Sequence, residues 1–193
     1  IDYNANAFVF FTKLVDGVNE MRRAVRNELR KGADHIKIMA CGGVGSPSDS
    51  LEHVQFTLEE QKAAVEEATA RGKYVCAHVY TNEAMQRAIE AGIRTLEHAN
   101  FIDSTTARMA AARGTYVVPT LICYETTLEH GERFGLSPYV MAKLAAVTKA
   151  GVEMLGVCAS SGVKMGFGTD LMGELEYAQA QEFTVRKIGR AHV

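Results

Sequence analysis

No apolar run in this sequence approaches the roughly 18 residues that a membrane-crossing helix needs, and no charged, apolar and small-residue succession of the secretory kind opens it. Charge of one sign is also lacking. The 21 basic and 23 acidic residues leave a formal net charge of −2 with no block of either sign, which removes the electrostatic case for nucleic acid or an anionic membrane. Paired cysteines are missing as well. Cys41, Cys76, Cys123 and Cys158 lie 35, 47 and 35 residues apart, so there is no Cys-x-x-Cys to build a zinc ribbon or a redox couple. Single cysteines on apolar stretches read as reduced core residues and make the cytoplasm the default compartment. What remains is ample for one buried core: 193 residues, 47% hydrophobic and 23% charged.

The apolar residues are arranged in two alternating periods. Leu14, Val18, Met21, Val25 and Leu29 recur every three or four residues through a charged stretch, the period of a surface helix, and Gly32 stops it. A short β-branched run over 35–39 follows and reads as a buried strand. Thr57 with Glu60 three residues on is a capping box opening a helix that runs to Gly72. The spacing then predicts strands over 74–80, 95–98, 116–121 and 163–169. Helices separate them: one over 82–91, one capped by Asp103 or Ser104, and a long one begun by Ser137-Pro138. Five strands alternating with helices predict parallel βα units in a single α/β domain.

A doubly wound sheet and a (β/α)8 barrel both satisfy this alternation, so the placement of polar residues decides between them. Lys37, His78, His98 and Asp170 each stand at or near the C-terminal end of an otherwise apolar strand. In a barrel those ends converge on one mouth; in an open sheet they would be strung out in a row. Two neutral imidazoles and a carboxylate suit zinc or a similar divalent ion. A lysine among them fits only if carbon dioxide adds to its amine, because the resulting carbamate is an anionic oxygen ligand that can bridge two metals.

At these segments the sequence resembles the binuclear metal amidohydrolases, in particular their imidazolonepropionase-like and prolidase-like branch. The matching stretches are Ile36-Lys37-Ile38-Met39-Ala40-Cys41-Gly42-Gly43-Val44, Ala77-His78-Val79-Tyr80, Leu96-Glu97-His98-Ala99 and Gly168-Thr169-Asp170. The resemblance implies a partial TIM (β/α)8 barrel covering strands four to eight, with residues 1–186 as the C-terminal part of a catalytic barrel. It implies two divalent metal ions, zinc foremost, bridged by carboxylated Lys37. His78 and His98 would bind one ion and Asp170 the other, and Asp170 would shuttle the proton from a metal-bridging hydroxide to the leaving nitrogen. Tyr80, two residues past His78 on the same strand face, is the candidate substrate contact. The substrates implied are dipeptides, then cyclic amides such as imidazolones. Neither nucleic acid nor membrane is a partner, and a homo-oligomer is compatible with the unassigned helix faces.

The family's His-x-His pair on strand one has no counterpart, since no His-x-His occurs in the sequence. Strands one to three are therefore expected upstream of Ile1, and the chain alone is expected to be inactive. Residues 187–193 resemble a translated sequencing adapter, so His192 is set aside as a ligand. His35, His53 and His130 read as structural. The alternative to the enzyme reading is a phosphate- or nucleotide-binding α/β domain using the loop Gly42-Gly43-Val44-Gly45. Against it, no Gly-Lys-Ser/Thr follows and the next helix is delayed to about Thr57.

Overall fold

The computed structural model describes residues 12–190, with side chains to residue 187. The tail's Ala191, His192 and Val193 lie outside the described residues. In chain order the elements are α1 (Val18–Arg30), β1 (Ile36–Met39), α2 (Leu58–Thr69), β2 (Val75–Val79), α3 (Asn82–Ala91), β3 (Thr95–His98), α4 (Ser104–Arg113), β4 (Tyr116–Val118), α5 (Leu121–His130), α6 (Pro138–Ser160), a 3-10 turn (Gly173–Ala178) and α7 (Gln181–Arg190). The four strands are parallel and lie in chain order β1-β2-β3-β4. Each crossover therefore adds its strand to the same growing edge, and the order contains no reversal of the kind that defines a doubly wound sheet.

The helices follow suit. α1 packs on α2, α2 on α3, α3 on α4, and α4 on α6, forming one continuous outer layer. Against it the strands bury Val75, Ala77, Val79, Leu96 and Val117. The alternate residues Lys37, Cys76, Thr95, Glu97 and Val118 face the other way and, with His35 and Tyr74, line a cavity of about 300 Å³. This is the arc of a partial (β/α)8 barrel, the fold class expected from the sequence.

Local chemistry fixes the joints of the arc. Thr57 and Glu60 form the expected capping box, with Thr57 N–H donating to Glu60 Oε2 at 2.7 Å and Glu60 N–H donating to Thr57 Oγ1 at 3.3 Å. The other Glu60 oxygen accepts from the N–H of Gly17, the N-cap of α1, at 2.7 Å, so one carboxylate seats two helices. Burial works against its ionisation, but the Thr57 and Gly17 amides and the Thr57 hydroxyl outweigh it and hold the carboxyl below its ordinary pKa. At the starts of the strands, His35 stacks on Tyr74 at 5.4 Å. The Arg94 guanidinium lies 5.9 Å from the Tyr74 ring and 5.7 Å from that of Tyr116, which Lys164 meets at 5.9 Å. This ladder ties the strand starts together at the end away from His98.

Two expectations need correction. The strand over 116–121 ends at Val118, because Thr120 is the N-cap of α5, a helix that the apolar run Leu121-Ile122-Cys123 disguised as a continued strand. The strand over 163–169 is in the expected place but is reduced to a single parallel bridge between Val117 and Met165. Its hydrogen bonds are Val117 N–H to Lys164 O at 3.1 Å and Gly166 N–H to Val117 O at 2.8 Å. A Cβ at Gly166 or Gly168 would stand 3.1 or 2.9 Å from the Val118 side chain, so the segment approaches β4 closely without forming a ladder.

That segment is secured from α7. Arg186 donates to the Gly166 carbonyl at 2.6 Å and the Pro119 carbonyl at 2.7 Å, and to Glu182 Oε1 at 2.7 Å. Glu182 is fully buried, and its other oxygen accepts from Ile122 N–H at 2.8 Å. Replacing Arg186 by Met leaves a buried carboxylate without its partner, a loss of about 3–5 kcal/mol. Urea unfolding of the Arg186→Met chain is expected to show a loss of this size, and the double variant Glu182→Met/Arg186→Met a smaller one.

Candidate active site

The site is built where β2 and β3 end. Strand alternation puts Cys76 and His78 on the cavity side of β2, with Tyr80 following on the same face just past the strand. Alternation on β3 would send His98 the way of Leu96, towards the helices. His98 instead has φ +74° and Ala99 φ +55°, and this left-handed turn swings the His98 ring to within 4.7 Å of His78, edge to face. Among the described residues only Phe56, His98, Ala99 and Asp170 have positive φ without being glycine. Two of these are residues that the sequence singled out, and backbone strain of this kind gathers at functional sites.

Hydrogen bonds fix both rings. His78 Nε2 donates to the Gly42 carbonyl at 3.3 Å. His98 Nδ1 lies 2.8 Å from the Thr120 hydroxyl, which in turn stands 3.4 Å from Tyr124 Oη. The nitrogens left to bind a metal are then Nδ1 of His78 and Nε2 of His98. Both rings are buried, at 6% and 2% exposure. Burial, helped by the Lys37 charge, lowers the His78 pKa to about 4 against an opposing push from the Gly42 carbonyl and Asp49. Burial, His78 and Lys37 hold His98 well below its ordinary value. Both imidazoles are neutral near pH 7, the form a metal requires.

Lys37 lies in the cavity on β1, and its charge is felt at His78, His98 and Asp170 alike. Asp170 ends the 163–170 segment with φ +51°. The walls around its carboxyl desolvate it and raise its pKa, while Lys37 pulls the other way. The structure thus brings His78, His98 and Tyr80 into direct contact and leaves Asp170 without a hydrogen bond to either histidine. Among the described residues, no three of His, Cys, Asp and Glu stand close enough to hold an ion by themselves. The imidazole pair therefore fits a divalent ion only with a further anionic ligand, and carboxylation of Lys37 would provide one.

Tyr80 stacks on His98 at 5.4 Å and 17°, and its hydroxyl meets that of Tyr124 at 2.9 Å. Burial raises both phenol pKa values well above the ordinary, so both stay protonated. Tyr124 and Thr120 were not foreseen in the sequence; they belong to α5, whose apolar start gave no helical signal. Cys41 is another addition, its sulfur accepting the Tyr80 N–H at 3.1 Å. Of the histidines read as structural, His35 stacks on Tyr74, His53 bonds Asp49 at 2.7 Å, and His130 meets the Tyr177 hydroxyl at 3.3 Å.

The loop named by the phosphate-binding alternative has part of its backbone already engaged. A phosphate cradle needs free amides, but Gly42 N–H is spent on the His53 carbonyl, Ser46 N–H on the Gly43 carbonyl and Asp49 N–H on the Ser46 hydroxyl. The Gly43, Ser46 and Asp49 carbonyls converge on the Lys143 ammonium, an arrangement that attracts cations.

The chain is similar in sequence and fold to known proteins. The model of the Amidohydrolase family matches residues 3–188. An ochratoxinase of Aspergillus niger is 36% identical over 177 residues, covering 91% of this chain and 36% of that protein. Among solved structures, a prolidase complexed with N-methylphosphonate-L-proline is 44% identical with a TM-score of 0.90, covering 95% of this chain and 46% of the other. A Xaa-Pro dipeptidase with methionine bound in its active site is 35% identical with a TM-score of 0.83, covering 91% and 43%. The chain spans less than half the length of each.

The depressed histidine pKa values set a pH window. Above about pH 6.5 both native and unfolded imidazoles are neutral and the site costs nothing. As pH falls from there towards about 4, the unfolded chain takes up protons that native His78 refuses, so stability is lost across that interval. Urea midpoints of metal-free protein measured from pH 7 to 4 are expected to fall, and to fall less steeply for His78→Asn.

Proposed function

The chain belongs to the amidohydrolase family, and from that premise we propose that the protein it is part of hydrolyses C–N bonds of small amides, with dipeptides the first substrates and cyclic amides the next. The observation that carries this reading is the pair of buried, neutral imidazoles of His78 and His98 held edge to face beside Lys37. The kinship with a prolidase and a Xaa-Pro dipeptidase supports dipeptides with C-terminal proline. No helix among the described residues is long and apolar enough to cross a membrane, and we place the protein in the cytoplasm.

Two divalent ions, zinc foremost, supply an activated water and polarise the scissile carbonyl when bound. In the proposed arrangement Lys37 Nζ would add to carbon dioxide and lose a proton, its new carboxylate serving as an anionic ligand. His78 through Nδ1 and His98 through Nε2 would hold one ion, and Asp170 would hold the other. The desolvated Asp170 carboxyl, its pKa raised, is suited to take a proton from the attacking water at Oδ and hand it to the leaving nitrogen. Thr120 keeps His98 in the tautomer this requires. Tyr80, its hydroxyl shared with Tyr124 and always protonated, is the donor assigned to the substrate side of the site.

The test uses the whole protein, upstream strands included, assayed on Xaa-Pro dipeptides with metal content measured alongside. Lys37→Ala is expected to lose bound metal and activity together, and Asp170→Asn to lower kcat by about 10²–10⁴. Undiminished metal content in Lys37→Ala, or hydrolysis by chelator-treated protein, would contradict the reading.

A further inference from the structure

The loop between β1 and α2 leaves and re-enters the fold at one point. Cys41 pairs with Val54 in an antiparallel bridge, Gln55 N–H donates to the Ala40 carbonyl at 2.9 Å and Gly42 N–H to that of His53 at 3.0 Å. Residues 42–53 therefore form a closed excursion over the mouth of the arc. At its root the Gly42 carbonyl accepts the His78 Nε2 proton, and a Cβ on Gly43 would come within 3.9 Å of that same nitrogen. Gly42 admits no side chain, since its Cβ would fall on the Ser50 carbonyl. The root of this loop thus meets the His78 ring on its Nε2 side.

A helix distant in sequence holds the loop down. Lys143, on α6, is only 8% exposed, and its ammonium donates to the carbonyls of Gly43 at 3.0 Å, Ser46 at 2.6 Å and Asp49 at 2.9 Å. Three bonds of a buried cation thus end on one loop. Tyr139, one turn earlier on α6, adds its ring at 4.6 Å from the ammonium and its hydroxyl to the Asp49 carbonyl at 3.4 Å. Seating a lysine so deeply is costly unless every proton is satisfied, and a loop needing only closure has its own backbone bridge.

We propose that Lys143 is a positioning residue of the active site: by gathering three carbonyls of the 42–50 loop it holds the Gly42 carbonyl against His78 Nε2 and so aims Nδ1 of that ring at the metal. The assignment rests on the hydrolase reading above. It makes α6 part of the site although none of its residues is a ligand. A groups-in-series arrangement of this kind, in which a ligand's free nitrogen is held by a carbonyl that is itself held, is where outer contacts change metal affinity or turnover by about 10- to 100-fold.

The experiment compares Lys143→Met with Lys143→Arg in the whole protein. Expected for Lys143→Met is a kcat for dipeptide hydrolysis about 10- to 100-fold lower with KM changed less than about threefold, a zinc dissociation constant raised by a similar factor, and largely restored values in Lys143→Arg. In ¹⁵N-histidine-labelled, metal-free protein the His78 signals are expected to move from a pure Nε2–H tautomer towards a mixture. If Lys143→Met does not fold, Lys143→Gln is read by the same criteria. Wild-type kcat, zinc affinity and His78 tautomer in a folded, merely less stable variant would overturn the proposal. An inactive wild-type protein would instead sink the hydrolase reading, and the His78 signals would still decide the role of Lys143.

Discussion

At the end of β3 two residues without glycine's freedom, His98 and Ala99, occupy the left-handed region, and the contact between the His98 and His78 rings exists because they do. Such a conformation persists only where its surroundings impose it. Here Ala99 N–H is drawn to the Val79 carbonyl at 2.9 Å, Phe101 N–H to that of Tyr80 at 3.2 Å, and the Asn100 side chain to Val147 on α6 at 2.8 Å. Thr120 anchors the ring itself. A strained turn fixed on four sides converts a strand that would point its histidine at the helices into one that delivers it to the His78 ring.

The two ends of the arc are divided by chemistry. At the strand starts, the aromatic and cationic side chains of Tyr74, Arg94, Tyr116 and Lys164 stack on one another without a buried unpaired charge. At the strand ends, two imidazoles are kept neutral by burial and by the neighbouring Lys37 charge, shifts of the kind that gather at functional sites. The asymmetry matches the general rule that barrels keep stability at one face and reactions at the other.

Much of this was legible in the residues. The capping box at Thr57 and Glu60, the glycine stops after α1, α3 and α4, and the Ser137-Pro138 start of α6 each announce a boundary by local hydrogen bonding or backbone freedom, and the boundaries lie where those signals put them. His78 and His98 stood out because polar groups at the ends of apolar strands are costly unless used; Lys37 stood out with them, but it is the second residue of β1, level with Cys76, and not at the strand's C-terminal end. Three things were hidden. The helix α5 begins with a strand-like apolar run, so Thr120 and Tyr124 could not be placed beside His98. The 163–169 segment has the composition of a strand but is held by Arg186 from the side and needs no ladder. The clamp of Lys143 on a loop some hundred residues earlier is a tertiary fact with no local signature.

The account turns on Lys37, His78 and His98 forming one metal-holding group. Its most direct test is anomalous diffraction from crystals of the whole protein grown with zinc. The account predicts a metal peak within about 2.0–2.2 Å of Nδ1 of His78 and Nε2 of His98, with carboxylate density extending from Lys37 Nζ towards it. Metal bound elsewhere, or a bare Lys37 ammonium beside an occupied histidine pair, would contradict it.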